Sequence, residues 1–149
     1  RQDVYKRQDN ARTPMQWNAE KNAGFTEGTP WYRVNPNYKE INAKEQMARE
    51  DSVFHYYQKL IALRKQYDII VHGDYELLLP DSEEIYSYIR TYKEQTLLVI
   101  CNFTDKKVAY ELIKQLKDRN GEMLICNYDR SKIQNVMELA PYECMVVLY

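Results

Sequence analysis

The longest periodic pattern in the chain lies between residues 53 and 67, where apolar side chains recur at helical spacing. Phe54, Tyr57 and Ile61 fall on one face, and Val53, Leu60 and Leu63 widen it into a stripe. The stretch contains no Gly or Pro, and Asp51 or Ser52 precedes it as an N-cap. The pattern therefore predicts a helix whose apolar stripe is buried against another part of a protein.

From about Ile69 onward the pattern changes to that of short strands. Residues 85–92 alternate, with Ile85, Ser87 and Ile89 on one side, and residues 96–103 form a mostly apolar run typical of a central strand. Further strands are predicted at 75–79, 108–112, 122–127 and 143–149, and turn residues such as Asn120-Gly121 separate most of them. This spacing predicts an antiparallel β-sandwich of about 80 residues.

Residues 9–43 show neither period and are predicted to form a long loop, followed by a short helix over 43–49 that Asn42 caps. A loop of about 30 residues is usually functional when it is ordered. Pro14 stiffens the segment around Arg12, whose guanidinium carries five donors in a planar fork that suits adjacent hydroxyl groups. Trp17, Phe25 and Trp31 are candidates for the walls of a sugar pocket, or they only pin the loop to its domain.

Composition excludes several classes of function. The 149 residues carry a net charge of −1, which excludes the strongly basic surface that nucleic-acid binding requires. No apolar run approaches the roughly 20 residues that span a bilayer, and residues 1–8 do not resemble a signal peptide. The three cysteines, Cys101, Cys126 and Cys144, lie far apart and are interpreted as buried free thiols in a reducing cytoplasm. We therefore expect a cytoplasmic protein without membrane or nucleic-acid partners.

The side chains that usually carry out hydrolysis give no clear signal. None of the 22 acidic residues occurs in a context that marks a nucleophile or proton donor, and a glycosidase needs two such carboxylates. His55 and His72 lack partners at metal-ligand spacing. The sequence therefore indicates no catalytic residue, cofactor or metal site within the chain, and Asn102-Phe103-Thr104 is interpreted as a strand end rather than a glycosylation site.

The motifs Asp9–Trp17, Asn22–Phe25 and Val34–Tyr38 closely resemble the α-glucosidase branch of glycoside hydrolase family 13. The resemblance continues through Asp51–Phe54, Tyr57–Lys65 and Gly73–Leu77, and covers nearly all of the chain after Gln8. Within the branch it is nearest to the oligo-1,6-glucosidases, with the trehalose-6-phosphate hydrolases close behind. Asn18 stands where the family usually has aspartate, and residues 1–8 do not fit the family and are interpreted as non-native sequence.

The resemblance implies that the chain is an α+β fragment of a larger enzyme. Residues 9–67 would be the last loop and helix of a (β/α)8 TIM barrel, and residues 68–149 a C-terminal antiparallel β-sandwich. The family's nucleophile, acid/base and third carboxylate lie on barrel loops that precede the motif at Asp9, so the chain alone is expected to be inactive. Arg12 would hydrogen-bond the terminal glucose of a small, isomaltose-like oligosaccharide.

The activity implied for the complete protein is retaining, exo-acting hydrolysis of terminal α-1,6-linked glucose. Hydrolysis of trehalose 6-phosphate is the alternative within the same family, because the residues that contact the leaving group lie upstream. A different class of function is a non-catalytic module in which Tyr86, Tyr88 and Tyr92 of the β-sandwich stack on a glycan. The same tyrosines also fit ordinary cross-strand packing on one sheet face.

Overall fold

The computed structural model of the chain describes residues 12–149. The chain divides into two compact units between Leu60 and Ile61. The predictions for residues 1–8 and for Asp9, Asn10 and Ala11 lie outside the described residues.

The first unit combines an irregular segment with helices whose ends are capped as predicted. Residues 12–42 contain two 3₁₀ turns, Lys21–Gly24 and Pro36–Lys39. Helix α1 spans Ala43–Ala48, and helix α2 spans Val53–Gln66. The Asn42 side chain accepts a hydrogen bond from Glu45 N at 3.0 Å, and Ser52 Oγ accepts one from His55 N at 3.3 Å. Ser52 rather than Asp51 is therefore the cap of α2, and Asp51 pairs with Arg49 on the surface.

The apolar stripe of helix α2 is exposed along its length. The exposed side chains are Val53, Phe54, Tyr57, Leu60 and Ile61, and no residue of α2 is buried. Soluble proteins seldom expose a contiguous apolar face without a partner. The predicted helix is confirmed, and its stripe is left without cover in the described residues.

The second unit begins within α2, at Ile61, and continues with a short helix and then strands. Helix α3 spans Ile69–His72, so the change to strand period comes at Asp74 and not at Ile69 as predicted. A four-residue apolar run is too short for its period to distinguish a helical turn from a strand. The strands are β1 (Asp74–Leu77), β2 (Ile85–Tyr92), β3 (Gln95–Asn102), β4 (Val108–Glu111), β5 (Glu122–Cys126), β6 (Val136–Leu139) and β7 (Cys144–Leu148). Strand β6 was not predicted.

The strands form two antiparallel sheets. One has five strands in the order β1-β2-β3-β7-β5, and the other pairs β4 with β6. Asn120-Gly121 precedes β5 but is not a hairpin turn, because β4 and β5 do not pair with each other. The antiparallel arrangement predicted from the sequence is confirmed.

The main core lies between the two sheets. Leu98, Ile100 and Met145 of the five-stranded sheet cluster with Tyr110 and Leu139 of the two-stranded sheet. On the other face of the five-stranded sheet, Ile69 of α3 is fully buried in a second cluster with Leu97 and Val99. Alternate residues of β3 thus enter opposite clusters, which follows from the two-residue period of a strand.

Candidate functional site

The segment that carries Arg12 is anchored to helix α1 by backbone and side-chain hydrogen bonds. Ala43 N donates to Gln16 O at 2.8 Å, and Lys44 N donates to Trp17 O at 3.0 Å. These amides belong to the first turn of α1, where no intrahelical carbonyl is available to them. The Gln16 side chain donates in turn to Asn37 Oδ1 at 3.0 Å and to Ile41 O at 2.5 Å. The loop is therefore ordered by defined partners despite its lack of regular structure.

A tight turn at Asn22–Gly24 shapes the next part of the loop. Asn22, Ala23 and Gly24 all have positive φ, at 55°, 59° and 67°. Trp17 N and Asn18 N both donate to Ala23 O, at 2.9 and 3.2 Å. A Cβ atom at position 24 would lie 2.7 Å from the Asn18 side chain, so any other residue there would have to displace Asn18 as well as adopt a positive φ. The Asn18 side chain accepts a hydrogen bond from Glu20 N at 2.9 Å, just before this turn.

An open cavity of about 560 Å³ lies beside this turn. The residues that line it include an aromatic residue, an amide residue and three charged residues: Phe25, Asn18, Lys21, Glu20 and Glu27. Its volume is within the range of small-ligand pockets. An aromatic ring beside amide, ammonium and carboxylate groups offers both a stacking face and hydrogen-bonding groups, which are the contacts that a hydroxyl-rich ligand can use. The sequence singled out Phe25 but not the polar side chains of this cavity.

Among the residues predicted for binding, the structure brings only Phe25 into the cavity. Arg12 is exposed and lies two residues before Pro14, which is buried. Trp17 is about half exposed, while Trp31 is 93% exposed. Trp31 does not line this cavity, and its two interpretations, pocket wall and loop anchor, stay predictions.

The histidines and cysteines have local partners in the structure. His55 is within hydrogen-bonding distance of Met47 O (3.1 Å) and Gln58 Oε1 (3.3 Å). In residues 12–149, no group of three or more His, Cys, Asp or Glu side chains is arranged to hold a metal ion. The cysteines are free thiols, but all three are partly exposed and not buried as predicted.

The buried polar side chains of Asn102 and Glu143 are held by hydrogen bonds within the fold. Asn102 donates to Lys106 O at 2.7 Å and to Ala140 O at 2.8 Å, which uses both hydrogens of the amide that a glycan would modify. Glu143 is the one buried carboxylate in the described part of the chain, and Arg130 pairs with it. Burial alone raises the pKa of Glu143, but hydrogen bonds from Arg130 and Ala140 N hold the pKa below its ordinary value.

No helix within residues 12–149 is long and apolar enough to cross a bilayer.

Comparison with known families divides the chain in two. Residues 1–73 match the model of the α-amylase catalytic domain. Residues 75–146 match the model of the maltogenic amylase C-terminal domain. The two matches are adjacent along the chain, with the catalytic-domain match first and the C-terminal-domain match second.

Individual relatives extend over most of the chain. An oligo-1,6-glucosidase of Parageobacillus thermoglucosidasius is 52% identical over 95% of this chain, and a trehalose-6-phosphate hydrolase of Bacillus subtilis is 45% identical over the same share. A crystal structure of the Bacillus licheniformis trehalose-6-phosphate hydrolase superposes on 94% of the chain with a TM-score of 0.88 at 45% identity.

In each case the chain spans 26% of the relative's own length. It therefore corresponds to a C-terminal part of these proteins. The motifs, the two family matches and the identities agree, and the chain belongs to the α-amylase family of glycoside hydrolases, in the branch of the oligo-1,6-glucosidases.

Proposed function

We propose that the complete protein is a retaining, exo-acting α-glucosidase that removes terminal α-1,6-linked glucose from short, isomaltose-like oligosaccharides. The observation that carries this proposal is the 52% identity to an oligo-1,6-glucosidase over 95% of the chain. Free thiols at Cys101, Cys126 and Cys144 support a cytoplasmic location for the enzyme.

Within that enzyme, residues 9–67 form the last loop and helix of the (β/α)8 barrel, and residues 68–149 form the C-terminal β-sandwich. Active sites of such barrels are built from the loops at the C-terminal face. The long segment of residues 12–42, held by hydrogen bonds to α1 and lined with polar side chains beside Phe25, has the character of such a loop. The exposed stripe of α2 fits a helix that packs against other helices of the barrel. Residues 1–8 are non-native in this interpretation, although the catalytic-domain match begins at residue 1.

Arg12 binds the substrate in this enzyme. Its guanidinium is exposed, and the buried Pro14 fixes the chain close by, which reduces the freedom of the segment before substrate binds. Hydrogen bonds from a charged donor to sugar hydroxyl groups are stronger than neutral ones. Together with a carboxylate from elsewhere in the barrel, Arg12 would close the pocket around one terminal glucose.

The 149-residue chain on its own is inactive in this proposal. Retaining hydrolysis needs one carboxylate as nucleophile and a second as acid/base, about 5 Å apart across the glycosidic bond. The family resemblance assigns these groups to loops upstream of Asp9. The test is hydrolysis of a nitrophenyl α-glucoside by the chain and by the complete protein in parallel. We expect turnover only from the complete protein, and turnover by the chain alone would refute the assignment of the carboxylates.

Hydrolysis of trehalose 6-phosphate is the second candidate, favoured by the TM-score of 0.88 with the B. licheniformis enzyme. A phosphorylated substrate needs cationic side chains on the leaving-group side of the bond. The complete protein would be assayed with isomaltose, maltose and trehalose 6-phosphate at equal concentrations. The highest kcat/KM on isomaltose supports the first proposal, and the highest kcat/KM on trehalose 6-phosphate replaces it with the second.

A non-catalytic glycan-binding role has one observation in its favour. The rings form a row in the order Tyr75, Tyr88, Tyr86 and Phe103, with centroid distances of 5.1, 5.4 and 6.3 Å between neighbours. Tyr92, the third tyrosine of the predicted set, contacts the His72 ring at 6.0 Å. Titrating the chain with isomaltose and longer oligosaccharides tests this role. Binding that Tyr86→Ala abolishes would favour the module, whereas the enzyme proposal expects no binding at these rings.

A further inference from the structure

Cys101 and Cys144 lie directly opposite each other on the adjacent strands β3 and β7. Their sulfur atoms are 2.8 Å apart. Asn102 N donates to Glu143 O at 2.8 Å, one residue beyond the pair on each strand. Cys101 and Cys144 are therefore a non-hydrogen-bonded pair, the position at which opposite Cα atoms approach to about 4.5 Å in an antiparallel ladder. That separation falls within the Cα–Cα range of disulfide bonds.

The two thiols share one face of the sheet and are partly exposed. They lie on the face opposite the main core, where Cys101 packs beside Leu97, Val99 and Tyr88. The hydrogen bond between the sulfurs raises the pKa of Cys101 and lowers the pKa of Cys144. The pairing geometry is the same whichever of the two thiols becomes the nucleophilic thiolate first, and the order with Cys144 first follows the direction of these shifts.

We propose that Cys101 and Cys144 form a reversible dithiol site that exchanges with low-molecular-weight disulfides and becomes a cross-strand disulfide between β3 and β7. This site is independent of the glycosidase proposal. It joins two strands that already pair, so its formation needs no change in strand register.

The exchange takes place in two steps. The Cys144 thiolate attacks one sulfur of the small disulfide, forms a mixed disulfide and expels one small thiolate, which takes up the proton that Cys144 has lost. The Cys101 thiolate then attacks Cys144 Sγ, forms the cross-strand bond and expels the second small thiolate, which takes up the proton from Cys101. The protein loses two hydrogen atoms and is oxidised, and the small disulfide is reduced to two thiols.

Cys126 is the natural control, because it belongs to the other face of the sheet. Its register partner on β7 is Met145, which is buried in the main core. Its sulfur accepts from Tyr128 N at 3.4 Å and lies 3.8 Å from Glu143 Oε1. Cys126 on β5 and Cys144 on β7 have side chains on opposite faces of the sheet, so the proposed bond excludes Cys126.

The test is to incubate the reduced, folded 149-residue chain with oxidised glutathione, trap free thiols with an alkylating agent and map the peptides by mass spectrometry. The same treatment of the urea-unfolded chain is the reference. We expect a single linked peptide pair, Cys101–Cys144, from the folded chain, reversed by reduced dithiothreitol, and a mixture of pairings from the unfolded chain. The same mixture from both chains, or glutathione adducts without a linked pair, overturns the proposal.

Single serine substitutions separate the formation of the mixed disulfide from the formation of the cross-strand disulfide. Cys126→Ser should form the linked pair at the wild-type rate, whereas Cys101→Ser should stop at a glutathione adduct on Cys144. The oxidised chain should also show a Tm increase of about 5 °C or more, since the bond closes a long loop of the unfolded chain. A linked pair in Cys101→Ser, or loss of the pair in a folded Cys126→Ser chain, overturns the assignment.

Discussion

Arg130 and Glu143 are joined by two hydrogen bonds, from Nε to Oε1 at 2.5 Å and from Nη2 to Oε2 at 3.1 Å. The Glu143 side chain is 1% exposed, and its Oε2 atom also accepts from Ala140 N at 2.7 Å. Arg130 Nη2 donates further to Glu138 O at 2.9 Å. The pair therefore ties the loop after β5 to the connection between β6 and β7, and both oxygens of a buried carboxylate are satisfied.

Replacing Arg130 by methionine should lower the stability of the chain strongly. The substitution keeps an apolar stem but leaves the Glu143 carboxylate buried without a cation. Removing one partner of a buried ion pair reduces the free energy of unfolding by about 3 kcal/mol. Urea unfolding followed by circular dichroism measures the change. The control is Lys107→Met, which removes the exposed ion pair with Glu138 in the same unit and should leave the unfolding midpoint unchanged. Equal effects of the two substitutions would contradict the structural role of the buried pair.

The same carboxylate should give the chain a defined pH dependence. Because the pKa of Glu143 is lower in the folded chain than in the unfolded one, the unfolded chain binds the proton more readily as the pH falls. The stabilisation is complete above about pH 5.5 and is lost progressively as the pH decreases through and below about 4.3, the ordinary glutamate value. In urea titrations, the stability difference between wild type and Glu143→Gln should therefore shrink from about pH 7 to about pH 4. If the stability difference between the two proteins stays constant over this pH range, the Glu143 carboxylate is not the source of the pH dependence.

Ser87 and Tyr110 should be energetically coupled through a buried hydrogen bond. Their hydroxyl oxygens are 2.9 Å apart, and Ser87 Oγ also donates to Val99 O at 3.1 Å. Ser87→Ala leaves the Tyr110 hydroxyl buried without this partner and should lower the free energy of unfolding by about 1–3 kcal/mol. Tyr110→Phe should have a smaller effect, because Ser87 retains Val99 O.

A double-mutant cycle measures that coupling. The loss in the double mutant Ser87→Ala/Tyr110→Phe should be smaller than the sum of the two single losses by about 0.5 kcal/mol or more. Additive losses would mean that the two hydroxyls do not share a hydrogen bond in solution.

The elements that the sequence predicted correctly are those with local signals. Helix α2 has uninterrupted periodicity and a serine cap, and strand β2 alternates over eight residues. Strand β6 and helix α3 are four residues each, too short for a period alone to identify them. Strands β1 and β4 are as short but were predicted, with turn residues near them as an additional signal. Contacts between residues far apart in the chain produce no pattern in the sequence. Arg130 and Glu143 are 13 positions apart, and Cys101 and Cys144 are 43 positions apart. Such pairs depend on sheet register, which a single sequence does not specify.

The candidate site was likewise predictable only where single residue types mark it in the sequence. Pro14, Gly24 and Phe25 marked the loop because glycine, proline and aromatic residues stand out in sequence. Asn18 lines the cavity beside a turn in which three successive residues have positive φ. Two of these residues, Asn22 and Ala23, are not glycine. Tertiary hydrogen bonds impose that conformation, and residue preferences do not predict it.

The stripe of helix α2 should make the isolated chain bind hydrophobic dyes. Replacing Phe54 and Ile61 together by glutamine should lower the fluorescence of bound anilinonaphthalene sulfonate, with little change in the urea midpoint of the isolated chain, because both side chains are already about half exposed. In the complete protein the same change should reduce the free energy of unfolding by about 1 kcal/mol or more, because the proposed barrel position buries these side chains. Gln58→Ala together with Lys59→Ala, on the exposed surface of the same helix, is the control. Unchanged dye binding in the double glutamine variant would mean that the stripe is covered.

Replacing Arg12 by alanine in the complete protein should lower kcat/KM on isomaltose about tenfold or more, because a charge-assisted hydrogen bond to the terminal glucose is lost. Arg12 is exposed, so the melting temperature should stay the same. Arg33→Ala is the matched control, since it removes an exposed arginine from the same loop and should leave kcat/KM unchanged. Steady-state kinetics with isomaltose measure both variants, and differential scanning calorimetry shows that each is folded. If the kinetics of Arg12→Ala equal those of Arg33→Ala, Arg12 does not bind the substrate. A lower melting temperature for Arg12→Ala alone would instead assign this arginine a role in holding the loop.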